Sequence, residues 1–200
     1  MRVVFVTGGL ASGKGTVCRL LGKRDASVFD LDEIAKEEQR SPALISALQA
    51  EFGHDITGDD GRIDRRLLAE RAFATQEASR RLDAICWPPV HDRLMRLLTE
   101  LKAELSEDAL VVVEIPLLVE AQDAGLDFVG LADAIIAVEA DEELRLSRAI
   151  KRGMSPVDAR KRIAAQVSSE RRRSFASVLF ENNGSFKELE TQVENWYASL

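Results

Sequence analysis

The sequence is poor in cysteine and has no excess of positive charge. Among its 200 residues there are two cysteines, Cys18 and Cys86, and they show neither paired nor metal-ligand spacing. A disulfide-rich scaffold is therefore not expected, and we interpret both residues as thiols buried on predicted helices in a reducing compartment. The net charge of −7 argues against nucleic acid or an anionic membrane as the main partner.

Long hydrophobic runs, internal repeats and low-complexity segments are also missing. No apolar run approaches membrane-spanning length, and the chain opens on a predicted strand and not on an apolar targeting segment. We therefore expect a cytoplasmic protein. Hydrophobic residues still make up 46% of the sequence, which is enough for one α/β core with insertions but hardly for two independent domains.

One stretch near the N-terminus organises the rest of the chain. An apolar, β-branched run at residues 3–6 predicts a strand, an amphipathic segment after Thr16 predicts a helix, and Gly8-x-x-x-x-Gly13-Lys14 lies between them. Glycines let successive N–H groups surround an anion, the helix N-terminus adds positive charge, and the lysine can reach the β- and γ-phosphates. The lysine favours a phosphate-binding loop over an ordinary glycine-rich turn. The predicted nucleotide-binding residues are Gly9, Leu10, Ala11, Ser12, Gly13, Lys14, Gly15 and Thr16.

The residue after this lysine departs from the usual motif. A serine or threonine there would offer its hydroxyl to Mg²⁺, but Gly15 occupies the place and Thr16 follows. Gly-Lys-Gly-Thr resembles the loop of adenylate kinases, in which the metal is held mainly by phosphates and water. We expect ATP to bind with Mg²⁺, and Thr16 is only a weak candidate for a metal ligand.

Two carboxylates, Asp30 and Asp32, follow the second predicted strand at residues 27–29. Ligands of parallel α/β sheets bind outside the carboxyl ends of the strands, so both carboxylates should face the ligand of the loop. Phosphoryl transfer to a hydroxyl uses a carboxylate as a base or as an organiser of the metal. Either residue could instead cap the helix that follows. For Asp30 a role in the reaction and a role as helix cap are equally supported. For Asp32 the resemblance described below favours a role in the reaction.

Between the second and third strands, helical spacing dominates. Ser41-Pro42 starts a helix that Gly53 ends, Asp59-Asp60-Gly61 predicts a turn, and helical patterns follow at residues 67–73, 82–85 and 94–105. We interpret residues 37–106 as a helical insertion over the active edge of the sheet, where it could bind the acceptor.

The second half contains three predicted strands and one basic segment. Residues 109–115 form the most apolar strand, which is expected at the centre of a parallel sheet, and strands at 134–138 and 178–180 follow. From Arg145 to Arg173, ten Lys or Arg residues stand against two acids, whereas the remainder holds 17 basic and 32 acidic residues. Such a segment is often only a solvated face. In an acidic protein that binds a polyphosphate, we favour a lid at residues 143–173 that closes over the phosphates.

These elements predict an α/β fold of the P-loop NTPase type. We expect a single domain of three layers, α/β/α, in which a five-stranded parallel sheet is the middle layer. The helical insertion and the helical lid are attached to this domain. The core would comprise residues 1–36, 107–142 and 174–200.

Over nearly its whole length the chain resembles the dephospho-CoA kinases. The motifs that carry the resemblance are, in order, residues 7–14, 29–35, 52–53, 60–65, 82–85, 116–120, Arg148, Arg152, 162–166 and 182–184. Asp-x-Asp, Pro-Leu-Leu-x-Glu and Asn-x-Gly in this order are much more specific than the loop alone. Departures from the family pattern are Ala11 for a glycine, Gly15 for a serine or threonine, Trp87 for a histidine, Glu114 for an aspartate and Val119 for a phenylalanine.

The resemblance implies transfer of the γ-phosphoryl group of ATP to the ribose 3′-hydroxyl of dephospho-CoA, the last step of coenzyme A biosynthesis. It implies that Asp32 positions or deprotonates the hydroxyl, that Lys14 stabilises the transferred group and that Arg148 closes over the phosphates. Further implied ATP-binding residues are Arg152, Asn182 and Gly184, the last two near the adenine. Implied acceptor-binding residues are Asp30, Asp32, Arg65, Trp87, Pro88, Pro116, Leu117, Leu118 and Glu120.

Two other functions remain open at this point. A nucleoside monophosphate kinase of the adenylate kinase type would share the loop and the lid, but the positions of Asp-x-Asp and Pro-Leu-Leu-x-Glu argue against it. A non-catalytic nucleotide switch is disfavoured because the chain has no Asn-Lys-x-Asp motif for reading guanine. We expect a monomer whose partners are ATP and dephospho-CoA.

Overall fold

The computed structural model describes residues 1–58 and 60–200, and a parallel sheet lies at its centre. The sheet has five strands in the order β2-β3-β1-β4-β5. They are β1 (Arg2–Gly8), β2 (Ser27–Asp30), β3 (Leu110–Glu114), β4 (Ala134–Glu139) and β5 (Val178–Glu181). Asp59, in the predicted turn of the insertion, lies outside the described residues.

The central strand is β1 and not β3, which corrects the expectation from hydrophobicity. Val4 is in register with Val112 of β3 on one side and with Ala134 of β4 on the other. Both β1 and β3 are covered on both faces, so both contain a continuous apolar run, residues 3–6 and 110–113. Hydrophobicity therefore identifies inner strands but does not rank them.

Helices cover both faces of the sheet and create two hydrophobic cores. On one face Phe5 and Val113 pack with Leu94 of α5 (Gln76–Glu104). On the other face Val4 packs with α1 (Lys14–Gly22) and α10 (Phe186–Tyr197). The predicted three-layer α/β/α architecture is confirmed.

Among the described residues, four helices lie between β2 and β3. They are α2 (Leu31–Glu38), α3 (Pro42–Phe52), α4 (Arg65–Ala72) and α5, with a 3₁₀ turn at His54–Ile56. Their own small core contains Leu44, Leu48, Phe52 and Ile56. The two last predicted helical patterns are in fact one 29-residue helix, α5, with Pro88 and Pro89 inside it. Packing of α5 against both this small core and the sheet outweighs the loss of backbone hydrogen bonds at the prolines.

After β3 come α6 (Leu118–Asp123), α7 (Glu142–Lys151), α8 (Pro156–Ala165) and α9 (Ser169–Phe175). We call α7, α8 and the turn between them, residues 142–165, the arm. In contrast, α9 packs on β1, β4 and α6, so we place it with the core and not with a lid. No described helix is both long and apolar enough to cross a membrane.

Candidate active site

The site is built around the loop between β1 and α1. Gly13 directly precedes α1 and has a φ of 114°, a left-handed conformation that favours glycine, and a Cβ there would collide with the amide of Asn182. No side chain in the described part of the chain caps the N-terminus of α1. The N–H groups of Lys14 and Gly15 therefore remain available to an anion, while those of Thr16 and Val17 donate to the carbonyl of Gly13.

Ala11 also adopts a left-handed conformation, with a φ of 58°. This explains why a glycine is usual at the position, since a Cβ costs roughly 1–2 kcal/mol there. The methyl group of Ala11 is buried with Ala149 of α7 and Ala159 of α8. Burial of a methyl contributes about 0.8 kcal/mol, so contact with the arm offsets part of the strain.

Lys14 is buried inside the loop. Its Nζ donates to the carbonyl of Gly8 at 3.0 Å and to that of Gly9 at 3.1 Å. Burial lowers the pKa of Lys14, and the nearby carboxylate of Glu114 partly opposes this effect. The ammonium group is thus held at the position where a phosphate on the loop amides would meet it.

The two aspartates after β2 have different structural roles. Asp30 caps α2, because its carboxylate accepts a hydrogen bond from the backbone N–H of Asp32 at 2.9 Å. The carboxylate of Asp32 accepts no hydrogen bond from any described group, which leaves it available to a substrate hydroxyl. Partial burial, followed by the charge of Asp30, raises the pKa of Asp32.

Glu114 is a third carboxylate at this edge, opposite Asp30 in the β2–β3 register. A Cβ placed on Gly15 would lie 3.5 Å from its Oε2 atom, so the carboxylate lies beside the start of α1. Burial raises the pKa of Glu114, while Lys14 and a hydrogen bond from the Cys18 thiol lower it. Sequence analysis identified Glu114 only as a departure from the family pattern, and the structure places it beside Lys14.

Two arginines that sequence analysis did not single out flank the loop. Arg172 of α9 forms a buried ion pair with Glu139, with Nε–Oε1 at 2.6 Å and Nη2–Oε2 at 3.0 Å. Arg145 of α7 donates from Nε to the carbonyl of Ala140 at 3.1 Å, and its Nη1 approaches Gly9 so closely that any Cβ there would collide. Arg145 lies one turn before Arg148, and this i, i+3 spacing was the available signal.

Four buried side-chain atoms have no hydrogen-bond partner among the described residues, and they belong to the end of β1, to the loop or to the helix facing it. They are Thr7 Oγ1, Ser12 Oγ, Arg145 Nη1 and Arg148 Nη1. Leaving a buried N–H of a guanidinium without an acceptor costs free energy. An anion with several acceptor oxygens, bound on the loop, is the kind of group that would satisfy the two arginine donors.

The Asn-x-Gly motif fastens the loop to the arm. Asn182 donates from Nδ2 to the carbonyl of Ser12 at 2.7 Å, and its own carbonyl accepts from Nη2 of Arg148 at 2.9 Å. Asn183 accepts from the backbone N–H of Asp141, just before α7, at 2.8 Å. The motif therefore connects α1, α7 and β5 around the loop.

A sequence model of dephospho-CoA kinase matches residues 2–188. The chain belongs to the dephospho-CoA kinase family. It is 36% identical to the dephospho-CoA kinase of Corynebacterium glutamicum, with full coverage of both chains. It is 38% identical to that of Thermobifida fusca (strain YX), with coverage of 100% of this chain and 96% of the relative.

The fold is shared with solved structures. TT1252 from Thermus thermophilus superposes with a TM-score of 0.78 at 34% identity, covering 100% of this chain and 97% of that one. The dephospho-CoA kinase from Campylobacter jejuni superposes with a TM-score of 0.73 at 23% identity, covering 100% of this chain and 97% of that one. Shikimate kinase from Acinetobacter baumannii superposes with a TM-score of 0.56 at 16% identity, covering 100% of this chain and 94% of that one. The last two likenesses support the kinase fold alone.

In this family member, Thr16 is poorly placed to bind a metal ion. Its hydroxyl accepts a hydrogen bond from Nη2 of Arg19 at 3.2 Å, which puts a cation beside it. Within residues 1–58 and 60–200 no group of three or more His, Cys, Asp or Glu side chains could hold a metal ion. We therefore keep it as a proposal that Mg²⁺ bound with ATP would be held mainly by phosphates and water.

Arg65 lies at a separate cavity of about 580 Å³ beside the C-terminal half of α2. The described lining has four basic side chains, Lys36, Arg40, Arg62 and Arg65, and no carboxylate. A concave surface of this charge is suited to an anionic group such as a diphosphate.

The other predicted acceptor residues are spread over two elements. Trp87 and Pro88 lie within α5, and Trp87 packs edge-on against Phe128 with ring centroids 6.0 Å apart. Pro116 and the partly exposed Leu117 follow β3, whereas Leu118 is fully buried in the core. Glu120 accepts from the backbone N–H of Val167 at 3.2 Å. Leu118 and Glu120 thus have structural partners, and we do not include them among acceptor contacts.

Proposed function

We propose that the protein transfers the γ-phosphoryl group of ATP to the ribose 3′-hydroxyl of dephospho-CoA, giving CoA and ADP. One observation carries the proposal: an unpaired carboxylate, Asp32, shares the carboxyl edge of the sheet with the loop lysine, Lys14. Family membership supports dephospho-CoA as the acceptor.

The donor half of the reaction uses the loop and α7. Backbone N–H groups at the start of α1 and the ammonium of Lys14 would bind the β- and γ-phosphates. Charge spreads over the transferred group in the transition state, so fixed positive charges stabilise it. The unpartnered Nη1 atoms of Arg145 and Arg148 are the donors available for that purpose. Mg²⁺, when bound with ATP, neutralises phosphate charge, and Asp30, Asp32 and Glu114 are the nearby carboxylates able to orient its water ligands.

In the acceptor half, α2 sets the distance between Asp32 and the basic residues of the cavity. Asp32 lies in the first turn of α2, Lys36 follows one turn later, and Arg40 lies just after the helix. At 1.5 Å per residue Lys36 lies about 6 Å along the axis from Asp32, and Arg40 lies beyond the end of the helix. A ribose whose 3′-hydroxyl contacts Asp32 would thus direct its 5′-diphosphate toward the basic cavity. We propose that Arg65 binds this diphosphate, and that Asp30, Trp87, Pro88, Pro116 and Leu117 surround the acceptor.

Asp32 would accept the hydroxyl proton as the bond to phosphorus forms. Its raised pKa makes it a better base than an ordinary aspartate. The arm would close over the phosphates and exclude water, which otherwise competes as acceptor. Because one chain supplies every group in this mechanism, we propose a monomer, and we place it in the cytoplasm, where ATP is abundant.

An acceptor screen with ATP and Mg²⁺ tests the proposal. Dephospho-CoA, AMP, CMP and shikimate are compared at equal concentration, and the position of the new phosphate is read by ³¹P NMR. We expect turnover with dephospho-CoA alone, and a 3′-phosphate product. Phosphorylation of AMP or CMP instead would indicate an adenylate kinase-type enzyme.

Lys14→Met is the matched inactive control for this screen. Methionine keeps most of the buried volume of Lys14 but removes its charge. Loss of a charge contact made in the transition state costs about 3 kcal/mol or more, a hundredfold or greater fall in kcat. Near wild-type turnover in a folded Lys14→Met protein would contradict the assignment of the loop.

A further inference from the structure

The Asn-x-Gly motif does not leave an obvious side chain to bind the base of the nucleotide. Both ends of the Asn182 amide face protein groups: Nδ2 donates to Ser12 at 2.7 Å, and Oδ1 lies 3.4 Å from Nη2 of Arg148. Gly184 has no side chain. A side chain that contacts the base would therefore come from another residue near this motif.

Phe186 is an exposed aromatic residue at the right place. It is the first residue of α10, and 56% of its surface is exposed, whereas Leu189 and Val193 of the same helix are buried. A capping box between Ser185 and Glu188 fixes the start of this helix. The backbone of Phe186 is thus held firmly, while its ring takes no part in the hydrophobic core.

The ring of Phe186 lines a cavity of about 180 Å³ that is continuous with the phosphate loop. The loop and the start of α1 contribute Ala11, Gly13 and Thr16 to this cavity, and the arm contributes Arg148 and Arg152. Phenylalanine and arginine are residue types that bind a flat, aromatic ligand by stacking.

We propose that Phe186 stacks on the base of the donor nucleotide, a purine nucleoside triphosphate, and so is a base-binding residue of the site. The proposal rests on the donor half of the proposed function. Every base has an aromatic face, so stacking contributes affinity with little selectivity among bases. The triphosphate itself, bound on the loop, would not contact Phe186.

Binding measurements that separate the base from the triphosphate test this proposal. Calorimetric affinities for a non-hydrolysable ATP analogue and for inorganic tripolyphosphate are compared in wild type, Phe186→Ala and Phe186→Tyr, with Mg²⁺ and without acceptor. We expect Phe186→Ala to weaken the nucleotide by roughly 5- to 150-fold, the usual range for loss of base stacking. Tripolyphosphate affinity should not change, and Phe186→Tyr should bind the nucleotide as wild type does.

Phe73→Ala is the matched control, because Phe73 is equally apolar, is 67% exposed and lies in the helical insertion. It should leave both affinities unchanged. An unchanged nucleotide affinity in Phe186→Ala, or an equal loss for nucleotide and tripolyphosphate, would overturn the proposal. Since no acceptor is present, this outcome is distinct from a failure of wild type to phosphorylate dephospho-CoA, which would overturn the proposed function.

Discussion

At the residue scale, two aspartates separated by one residue have different environments. Asp30 is engaged as the cap of α2, whereas Asp32 is the residue whose pKa is raised, by partial burial first and by the charge of Asp30 second. We therefore propose that Asp30 acts on the reaction through Asp32, by holding α2 in place and by making its neighbour harder to ionise.

Asp30→Asn should shift the acid side of the pH–activity profile to lower pH. Asp32 must be ionised to accept a proton, so kcat/KM falls as the pH falls through its raised pKa. Asparagine still caps the helix but carries no charge, which lowers the pKa of Asp32. The profile of kcat/KM for dephospho-CoA between pH 4 and 8 measures the shift, with Asp108→Asn, at the opposite edge of the sheet, as control. A shift to higher pH would contradict this role of Asp30.

Asp32→Asn should bind the ATP analogue normally and lose most of its turnover. A carboxylate whose pKa is raised by folding destabilises the folded state once the pH exceeds that value, so its amide should not lower Tm at pH 7. Calorimetric binding, turnover and thermal unfolding are measured together on the same variant. If Asp32→Asn were active and Asp30→Asn inactive, the two roles would be reversed.

At the element scale, the basic segment divides into two parts whose arginines differ in burial and in partners. Arg172 of α9 is buried against Glu139, while Arg152, Arg160 and Arg162 of the arm are exposed. The sequence allowed the basic residues to be counted but not oriented, because a long flexible side chain can reach either the solvent or the core. The same limitation concealed Arg145 and the exposed ring of Phe186.

Arg172→Met should strongly destabilise the protein. It leaves the buried Glu139 carboxylate without its partner, which typically costs about 3–5 kcal/mol. For a chain of this size that corresponds to a fall in Tm of about 6–20 °C. The double variant Arg172→Met/Glu139→Leu should recover much of the loss, and Arg160→Met on the arm should change Tm by little. Equal Tm values for Arg172→Met and Arg160→Met would contradict a stabilising role for this ion pair.

Trypsin should cut the arm faster than the rest of the basic segment. Lys151 and Arg152 at the end of α7 and residues 160–162 within α8 are exposed. In the rest of the segment Arg172 is buried, while the exposed Arg171 and Arg173 form ion pairs with Asp123 and Glu181. If the arm is a lid, its local stability is low without nucleotide, and an ATP analogue should slow cleavage there. Cleavage after Lys102 at the end of α5 is the internal control and should not respond. Equal rates with and without the analogue would mean that the arm is a passive solvated face.

At the scale of the whole molecule, the order of strands and helices was predictable because apolar periodicity reports it directly. The loop from Gly8 to Lys14 and the helix start at Ser41-Pro42 were predictable because each has its own local chemistry. The position of β1 between β3 and β4, and the continuity of α5 through Pro88 and Pro89, depend on long-range packing. For the same reason the sequence did not indicate that Glu120 would bind Val167 in the structure.

The distribution of charge over the whole molecule also bears on function. An acidic chain of net charge −7 has basic groups at two concave surfaces, one around the loop and one at the cavity beside α2. If α2 separates the 3′-hydroxyl of the acceptor from its diphosphate as proposed, the two surfaces bind different parts of the substrates. Their contributions should then be separable by mutation.

Arg65→Glu should raise KM for dephospho-CoA by roughly tenfold or more while leaving KM for ATP unchanged, since one charge-assisted contact contributes about 1.5–3 kcal/mol. Arg66→Glu is the matched control, because it makes the same charge change one residue along α4 and lies outside the described lining of the cavity. Raising the ionic strength should increase KM for dephospho-CoA in wild type and in Arg66→Glu, and less so in Arg65→Glu, where the attraction is already lost. Equal effects of the two substitutions would show that net charge alone matters, and the diphosphate would then have to bind elsewhere.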